Sequence, residues 1–303
     1  MKGLSAKKDS TRIPLLLAYL GNIILGFSFL FVKIAQRSAP SSVLLSHRFI
    51  VACVIMLLLV AFRVVKVSFR NKNWWPAILL LSFQYLYYVF ESKAIIHTNA
   101  TLAGAGGAVS PVVSIILAAI FLKEFPSKRQ TIFCLFPIAG VIMMTLAGKE
   151  LGVVTAIGAI FLALTILSAG SYKTVNRKAA QQFTAFERTV ILFVFSSVSF
   201  TITALQEIHW DWSAYLAPLA VPSYTVSMLI LAVFCSLVSN LMINYATAKL
   251  PVVKISSLGA LVTLVSLLAG VILLGEPWDY TLVLGAVLVI LGLWQVTKVP
   301  KKN

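Results

Sequence analysis

Ten long apolar runs follow one another along the chain, and this pattern limits the fold more than any other feature. A helix that crosses a bilayer needs about 20 mainly apolar residues, so ten of them use roughly 200 positions. The chain has 303 residues, 60% hydrophobic and 11% charged, whereas about a quarter of a soluble domain is charged. The sequence therefore predicts an all-α membrane protein with ten transmembrane helices. The predicted spans are residues 13–33, 43–62, 75–96, 100–122, 131–147, 152–172, 184–205, 223–246, 253–274 and 280–297.

Basic residues lie mainly on one side of this pattern. If the N-terminus is inside, 19 of the 25 Lys and Arg residues are cytoplasmic and three, Lys33, Arg37 and Lys149, are outside. Cytoplasmic loops are enriched in Lys and Arg, so we expect a multi-pass protein of the cell membrane with both termini cytoplasmic. The same enrichment explains the net charge of +16 without a nucleic-acid partner. The cytoplasmic set is Lys2, Lys7, Lys8, Arg12, Arg63, Lys66, Arg70, Lys72, Lys123, Lys128, Arg129, Lys173, Arg177, Lys178, Lys249, Lys254, Lys298, Lys301 and Lys302.

The two halves of the chain resemble each other at charged positions, which are rare inside membranes and therefore informative. Five helices per repeat is an odd number, so the second copy enters the membrane from the opposite side. The sequence thus predicts two inverted repeats, over residues 13–147 and 152–298, a plan that recurs in transporters with a substrate site near the midplane. The matches are Ser28/Ser168, Lys33/Lys173, Arg37/Arg177 and Arg48/Arg188 at an offset of 140, then Ala94/Ala246, Gly107/Gly259, Glu124/Glu276 and Gly140/Gly292 at 152.

Short motifs in both halves add a family resemblance. The chain resembles the EamA-type, ten-helix branch of the drug/metabolite transporter superfamily over residues 13–298. This resemblance implies a transporter of small organic metabolites and does not fix the substrate. The motifs are Gly26-Phe27-Ser28-Phe29 leading to Lys33, Arg48-Phe49, Tyr88-Val89-Phe90-Glu91-Ser92 with Ala94, Leu122-Lys123-Glu124, and Leu274-Gly275-Glu276-Pro277.

Glu91 is the outstanding residue because an ionisable side chain within an apolar span usually faces a cavity and marks function. Helical spacing places Gln84, Tyr87, Tyr88 and Glu91 on one stripe. A carboxylate beside aromatic rings suits an ammonium group, so an amine or an amino acid is the favoured substrate. Glu91 is also the candidate proton-coupling residue. The alternative is a permanent ion pair of Glu91 with Lys93, Arg48 or His97.

The counterpart of this stripe, on the eighth helix, is polar but uncharged. It contains Ser236, Ser239, Asn240, Asn244 and Thr247. Such groups either line a cavity or bond neighbouring helices, and the sequence leaves both readings open. On the sixth helix, Ser168 and Tyr172 share a face with Thr165, and they either reach the cavity or bond their own helix. The predicted substrate-binding residues are Glu91, Tyr88, Tyr87, Gln84, Asn240, Ser236, Asn244, Ser168 and Tyr172.

Other functional classes find little support in the sequence. The three Cys and three His are scattered, so no metal site is predicted, and no G-x-x-x-x-G-K-[ST] loop for ATP occurs. We expect a secondary transporter without a cofactor, not an enzyme, working by alternating access on a small-molecule substrate in the lipid bilayer. An intramembrane transferase and a channel are the alternatives, and a homodimer is compatible with this plan.

Glu124 and Glu276 are predicted to be structural caps. Packing or hinge positions are predicted at Gly104, Gly106, Gly107 and Gly259.

Overall fold

The computed structural model describes residues 2–97, 109–146, 155–274 and 280–298, and within them each of the ten predicted spans coincides with helix. The helices are α1 (Lys2–Ala35), α2 (Ser41–Ala61), α3 (Trp75–His97), α4 (Ser110–Leu122), α5 (Lys128–Leu146), α6 (Ala156–Ala179), α7 (Ala185–Glu207), α8 (Trp212–Leu216), α9 (Pro222–Ile230), α10 (Ser239–Lys249), α11 (Val252–Leu258), α12 (Ala260–Leu274) and α13 (Tyr280–Lys298). A 3₁₀ turn, Ala217–Ala220, follows α8, and a π-helical segment, Leu231–Val238, joins α9 to α10. Together α9, this segment and α10 form the eighth predicted span, which is called the eighth helix below and is distinct from the short α8.

Seven helical stretches of the described chain are long and apolar enough to cross a membrane. The protein is accordingly an all-helical, multi-pass membrane protein. The stretches are Thr11–Ala35, Ser41–Ala61, Ala156–Ala179, Ala185–Glu207, Pro222–Lys249, Val252–Leu273 and Tyr280–Lys298, and α4 is a shorter apolar helix.

The sixth helix is longer than predicted. The prediction ended it at residue 172, whereas α6 continues to Ala179. Lys173, Arg177 and Lys178 are therefore helical residues and not part of the loop in which the sequence analysis placed them. Since Lys is a good helix former, the end of the apolar run did not mark the end of the helix.

Local side chains fix several helix ends. Thr184 and Glu187 form a capping box at the start of α7, which satisfies backbone N–H groups that lack partners within the helix. Glu187 also accepts hydrogen bonds from the Ser68 backbone, at 2.8 Å, and from Lys72. The loop after α2 is thereby fixed to the beginning of α7.

The first compact unit contains residues Met1–Asn73 and Gln182–Ala248. In it α2 packs on α7, its counterpart in the other repeat. Ser46 bonds Thr201 at 2.7 Å, and further along α2 the ring of Phe49 packs on Phe193 and Phe200. Ser68, beyond the end of α2, binds Glu187 at the start of α7, so the two helices run antiparallel.

The second compact unit contains Trp74–Gln181 and Lys249–Asn303. In it α5 packs on its counterpart α13. A Cβ at Gly140 would lie 2.5 Å from the Gly285 oxygen, and one at Gly292 would lie 2.3 Å from Pro137 Cδ. Glycine is required at both contacts because small residues let membrane helices approach closely. Pro137, earlier in α5, contacts Gly292, which lies late in α13. Gly140, later in α5, contacts Gly285, which lies earlier in α13. These helices are therefore also antiparallel.

The remaining pairs follow the same repeat logic within each unit. In the first unit α1 packs on α9 and the π-helical segment, and in the second unit α6 packs on α3. In the repeat, α6 is the counterpart of α1, and α3 is the counterpart of the eighth helix. The pair formed by α6 and α3 is therefore equivalent to the pair formed by α1 and the eighth helix. Antiparallel contact between counterpart helices is the arrangement expected of inverted repeats.

Candidate functional site

Glu91 lies in α3 and is partly buried. The Tyr87 hydroxyl, one turn earlier, donates a hydrogen bond of 2.5 Å to Glu91 Oε1. Tyr88 packs edge-on against Tyr87, with the ring centroids 5.1 Å apart. The structure thus joins three members of the predicted stripe through direct contacts, and it leaves the second carboxylate oxygen of Glu91 unbonded among the described residues.

The cations considered as partners of Glu91 are engaged elsewhere. The Lys93 ammonium lies over the Phe161 ring, 5.3 Å from its centroid, and the His97 ring stacks on the same phenylalanine at 5.8 Å. Arg48 Nε donates to Ser236 Oγ. Within the part of the chain that the structure describes, Glu91 therefore forms no ion pair.

Gln84 begins the same stripe and is buried, with 8% of its surface exposed. On the neighbouring helix α6, Ser168 is buried and Tyr172 is partly buried. The Thr165 hydroxyl donates to the Phe161 carbonyl of its own helix at 2.8 Å, which is the local bonding considered for this face.

The polar residues of the eighth helix bond protein groups inside the first unit. Ser236 accepts the hydrogen bond of Arg48 at 2.5 Å, and Asn240 donates to the Ser236 carbonyl at 2.8 Å. The Asn244 amide donates to Thr189 Oγ1 at 2.9 Å, while its carbonyl oxygen of the main chain accepts from Arg188. For Ser236 and Asn244 these contacts favour the packing alternative, and their role in substrate binding stays a prediction.

A π-helical segment contains the first residue of this stripe, Ser236, while the other members lie in α10. The stripe was derived from the α-helical period, but residues Leu231–Val238 have the wider turn of a π-helix. Side chains before and after this segment therefore do not share the face that an unbroken α-helix would give them. Short π segments are frequent at functional sites, and no composition signal at Leu231–Val238 identifies this one.

Glu124, predicted to be a structural cap, bonds the start of α11. Its carboxylate accepts hydrogen bonds from Arg177 Nε, at 2.9 Å, and from the Val252 backbone, at 2.8 Å. It therefore caps α11 and ties it to the end of α6. Its counterpart Glu276, together with Gly104, Gly106 and Gly107, lies outside the described residues.

Lys173 is a polar centre that the sequence analysis missed. Its ammonium donates to Ser110 Oγ at 2.9 Å, in the first turn of α4. The match between Lys33 and Lys173 in the repeat was the signal that could have identified it, because a lysine retained inside a span calls for a function. The two lysines now differ, since Lys33 is exposed and Lys173 is partly buried.

Known proteins support the interpretation of the fold. The model of the EamA-like transporter family matches residues 12–146 and 156–297. The chain belongs to the EamA-like transporter family. With it the chain belongs to the drug/metabolite transporter superfamily, as the sequence motifs predicted.

Two relatives of this EamA-like transporter are also named as transporters. One is the "Uncharacterized transporter YcxC" of Bacillus subtilis (strain 168), 30% identical over 279 residues, which are 91% of this chain and 89% of the relative. The other is an "Uncharacterized transporter" of Archaeoglobus fulgidus, 22% identical over 280 residues, 90% and 94% of the two chains. A solved crystal structure superposes with a TM-score of 0.80 at 15% identity, covering 94% of this chain and 98% of the other. That likeness shows the fold alone.

Proposed function

We propose that this EamA-like transporter is a secondary transporter of amines or amino acids that works by alternating access and is coupled to protons through Glu91. The observation that supports this most is the state of the Glu91 carboxylate. It is held by Tyr87 at 2.5 Å and has no cationic partner among the described residues. A carboxylate in this position is available to a cationic solute or to a proton.

The surroundings of Glu91 support a solute with an ammonium group. The rings of Tyr87 and Tyr88 lie next to the carboxylate, and aromatic rings stabilise ammonium groups through cation–π contact. We assign Glu91, Tyr87, Tyr88 and Gln84 to substrate binding, with Ser168 and Tyr172 on α6. Asn240 is a further proposed contact of the solute. Ser236 and Asn244, which the sequence also predicted as contacts, bond groups of α2 and α7, and we propose that they serve helix packing instead.

Proton coupling follows from competition at one carboxylate. A protonated Glu91 is neutral and binds an ammonium group weakly, whereas an ionised Glu91 binds it well. Glu91 therefore binds either a proton or the solute, so that binding of the solute requires release of the proton. No covalent step is part of this cycle, in agreement with the transporter family to which the chain belongs.

The proposal is tested by uptake into proteoliposomes, with a panel of amines, amino acids and nucleotides, with and without a pH gradient. We expect saturable uptake of at least one amine or amino acid, driven by the gradient. Glu91→Gln is expected to lower this uptake about a hundredfold, the equivalent of a lost charge-assisted contact of about 3 kcal/mol. Glu207→Gln, the same change at an exposed acid, is the matched control.

Two results would remove the proposal. Uptake by Glu91→Gln at the wild-type rate, with unchanged dependence on pH, would exclude Glu91 from binding and coupling. Failure of the purified wild-type protein to move any solute of the panel would exclude transport of these classes.

We also propose that the protein lies in the cell membrane with both termini in the cytoplasm. The distribution of Lys and Arg between the two sides of the helix pattern supports this orientation. Reporter fusions at residues 66 and 149 test it, since the first should report a cytoplasmic position and the second an external one. The reverse result would overturn the orientation.

A further inference from the structure

Lys173 has fewer bonding partners than its chemistry requires. An ammonium group offers three N–H donors. With the described residues Lys173 makes one hydrogen bond, from Nζ to Ser110 Oγ at 2.9 Å. Two donors of a charged group thus remain for other acceptors. In an apolar helix bundle such donors need acceptors to offset the loss of water.

The Lys173 side chain also extends in an unusual direction. Arg177, one turn nearer the end of α6, binds Glu124, which lies beyond the C-terminal end of α4. Lys173 instead reaches Ser110, at the N-terminal end of the same α4. A lysine near a helix end normally extends toward the nearer membrane surface, whereas this ammonium is directed away from it, into the second unit.

The groups beside the ammonium are suited to an anion. Its Nζ atom lies 3.7 Å from the position that a Cβ on Gly259 would take, so glycine leaves space next to it at the junction of α11 and α12. The N-terminal end of α4 adds positive potential. One turn before Gly259, the hydroxyl of the fully buried Ser256 has no hydrogen-bond partner in the described chain.

No described carboxylate neutralises this charge. Glu124 is bound by Arg177 and by the Val252 backbone. Glu91 lies near Phe161, since Phe90 and Lys93 both contact that ring. Phe161 precedes Lys173 by twelve positions, which is about 18 Å along a helix at 1.5 Å per residue.

We propose that Lys173 and Ser110 form a binding site for the carboxylate of the transported solute, separate from Glu91. This inference rests on the proposed function and narrows it: a solute that uses both sites has an ammonium and a carboxylate, and is an amino acid rather than a simple amine. The two charges of an α-amino acid are only a few ångströms apart. The solute therefore contacts Glu91 and Lys173 in succession and not together.

The test uses pairs of solutes that differ by one carboxylate: L-phenylalanine and 2-phenylethylamine, L-leucine and isoamylamine, and L-lysine and cadaverine. Binding to the purified protein in lipid nanodiscs is measured by thermal stabilisation, and uptake is measured in proteoliposomes. The variants are Lys173→Gln and Lys173→Arg, with Lys93→Gln as the matched control, since Lys93 is another lysine within a helix of the same unit.

We expect the wild type to bind the amino acid of at least one pair more tightly than the corresponding amine. Lys173→Gln should weaken amino acid binding about tenfold or more, the effect of a lost charge-assisted hydrogen bond, and leave amine binding unchanged. Lys173→Arg should retain part of the preference because it keeps the charge. Lys93→Gln should behave as the wild type, and unchanged amine binding shows that Lys173→Gln is folded.

Several outcomes would overturn the carboxylate site. They are equal binding of both members of every pair by the wild type, equal losses for both members in Lys173→Gln, and stabilisation by chloride but by none of the amino acids. Uptake of amines alone, insensitive to Lys173, would reject the site while the proposed transport function stands. Binding of amino acids that depends on Lys173, without uptake of any solute, would reject transport while the site stands.

Discussion

The polar stretch of α3 and its counterpart, the eighth helix, occupy equivalent positions in the two repeats and use their polar groups differently. On α3, Tyr87 bonds Glu91 within the same helix and the carboxylate has no described cation. On the eighth helix, Ser236 and Asn244 bond groups of α2 and α7. One copy of the duplicated element thus contains a carboxylate with no cationic partner among the described residues, while the other bonds its polar groups to neighbouring helices of its own unit.

The largest expected effect lies at the arginine that anchors α10. Arg188 is 1% exposed and donates to the Asn244 carbonyl. Arg188→Ala removes this bond and leaves a cavity, and we expect the free energy of unfolding to fall by about 3 kcal/mol. Unfolding in mixed micelles, followed by tryptophan fluorescence, measures it.

Arg48→Ala is the matched control, because Arg48 is the counterpart of Arg188 but is only partly buried. We expect it to lower the free energy of unfolding by about 1 kcal/mol. An equal loss of unfolding free energy in the two variants would show that the different burial of Arg48 and Arg188 does not affect their contribution to stability.

A smaller effect is expected at the side chain of Asn244. Asn244→Ala removes the 2.9 Å hydrogen bond to Thr189 and should lower the free energy of unfolding by about 1 kcal/mol, because both groups are buried and the Thr189 hydroxyl oxygen loses its donor. Uptake per folded molecule should remain that of the wild type. A selective loss of uptake with unchanged stability would instead make Asn244 a substrate contact and break the comparison.

Tyr87→Phe tests α3, where the change should lower uptake and leave stability almost unchanged. The change removes the hydroxyl that holds Glu91, and uptake should fall about fivefold, equivalent to about 1 kcal/mol. The free energy of unfolding should change by less than about 0.5 kcal/mol. Tyr85→Phe, at a more exposed position of α3, is the control, and equal losses of uptake in both variants would contradict a specific role of Tyr87.

The smallest effect is expected at Ser236. Ser236→Ala removes the acceptor of Arg48, and the loss in the free energy of unfolding should be about 0.5 kcal/mol, since polar contacts between membrane helices are weak on average. Amine or amino acid uptake should not change. A tenfold loss of uptake would place Ser236 in the substrate site.

The sequence predicted the helices and the repeat well because both depend on local composition. Each apolar run is about the length that crosses a membrane, and charged matches such as Arg48/Arg188 are too rare in membranes to be accidental. The stripe containing Tyr87 and Glu91 was also predictable, because α3 keeps the α-helical period at these positions.

The partners of the polar groups were not predictable because they depend on tertiary packing. That Ser236 binds Arg48 follows from how the eighth helix lies on α2, which no local pattern encodes. The π-helical segment changes the phase of the same helix without a compositional signal. Lys173 was missed because its charge suggested the end of a helix, although α6 continues for six more residues.

The pairing of α2 with α7, and of α5 with α13, also sets an order of events during synthesis. Arg48 leaves the ribosome 140 positions before its counterpart Arg188, and α5 is complete long before α13 exists. The faces of α2 and α5 that later contact α7 and α13 are therefore covered by lipid or by an insertion factor when these two helices enter the bilayer. A chain cut after residue 147 and expressed as its first half alone lacks the segments that would replace that temporary cover.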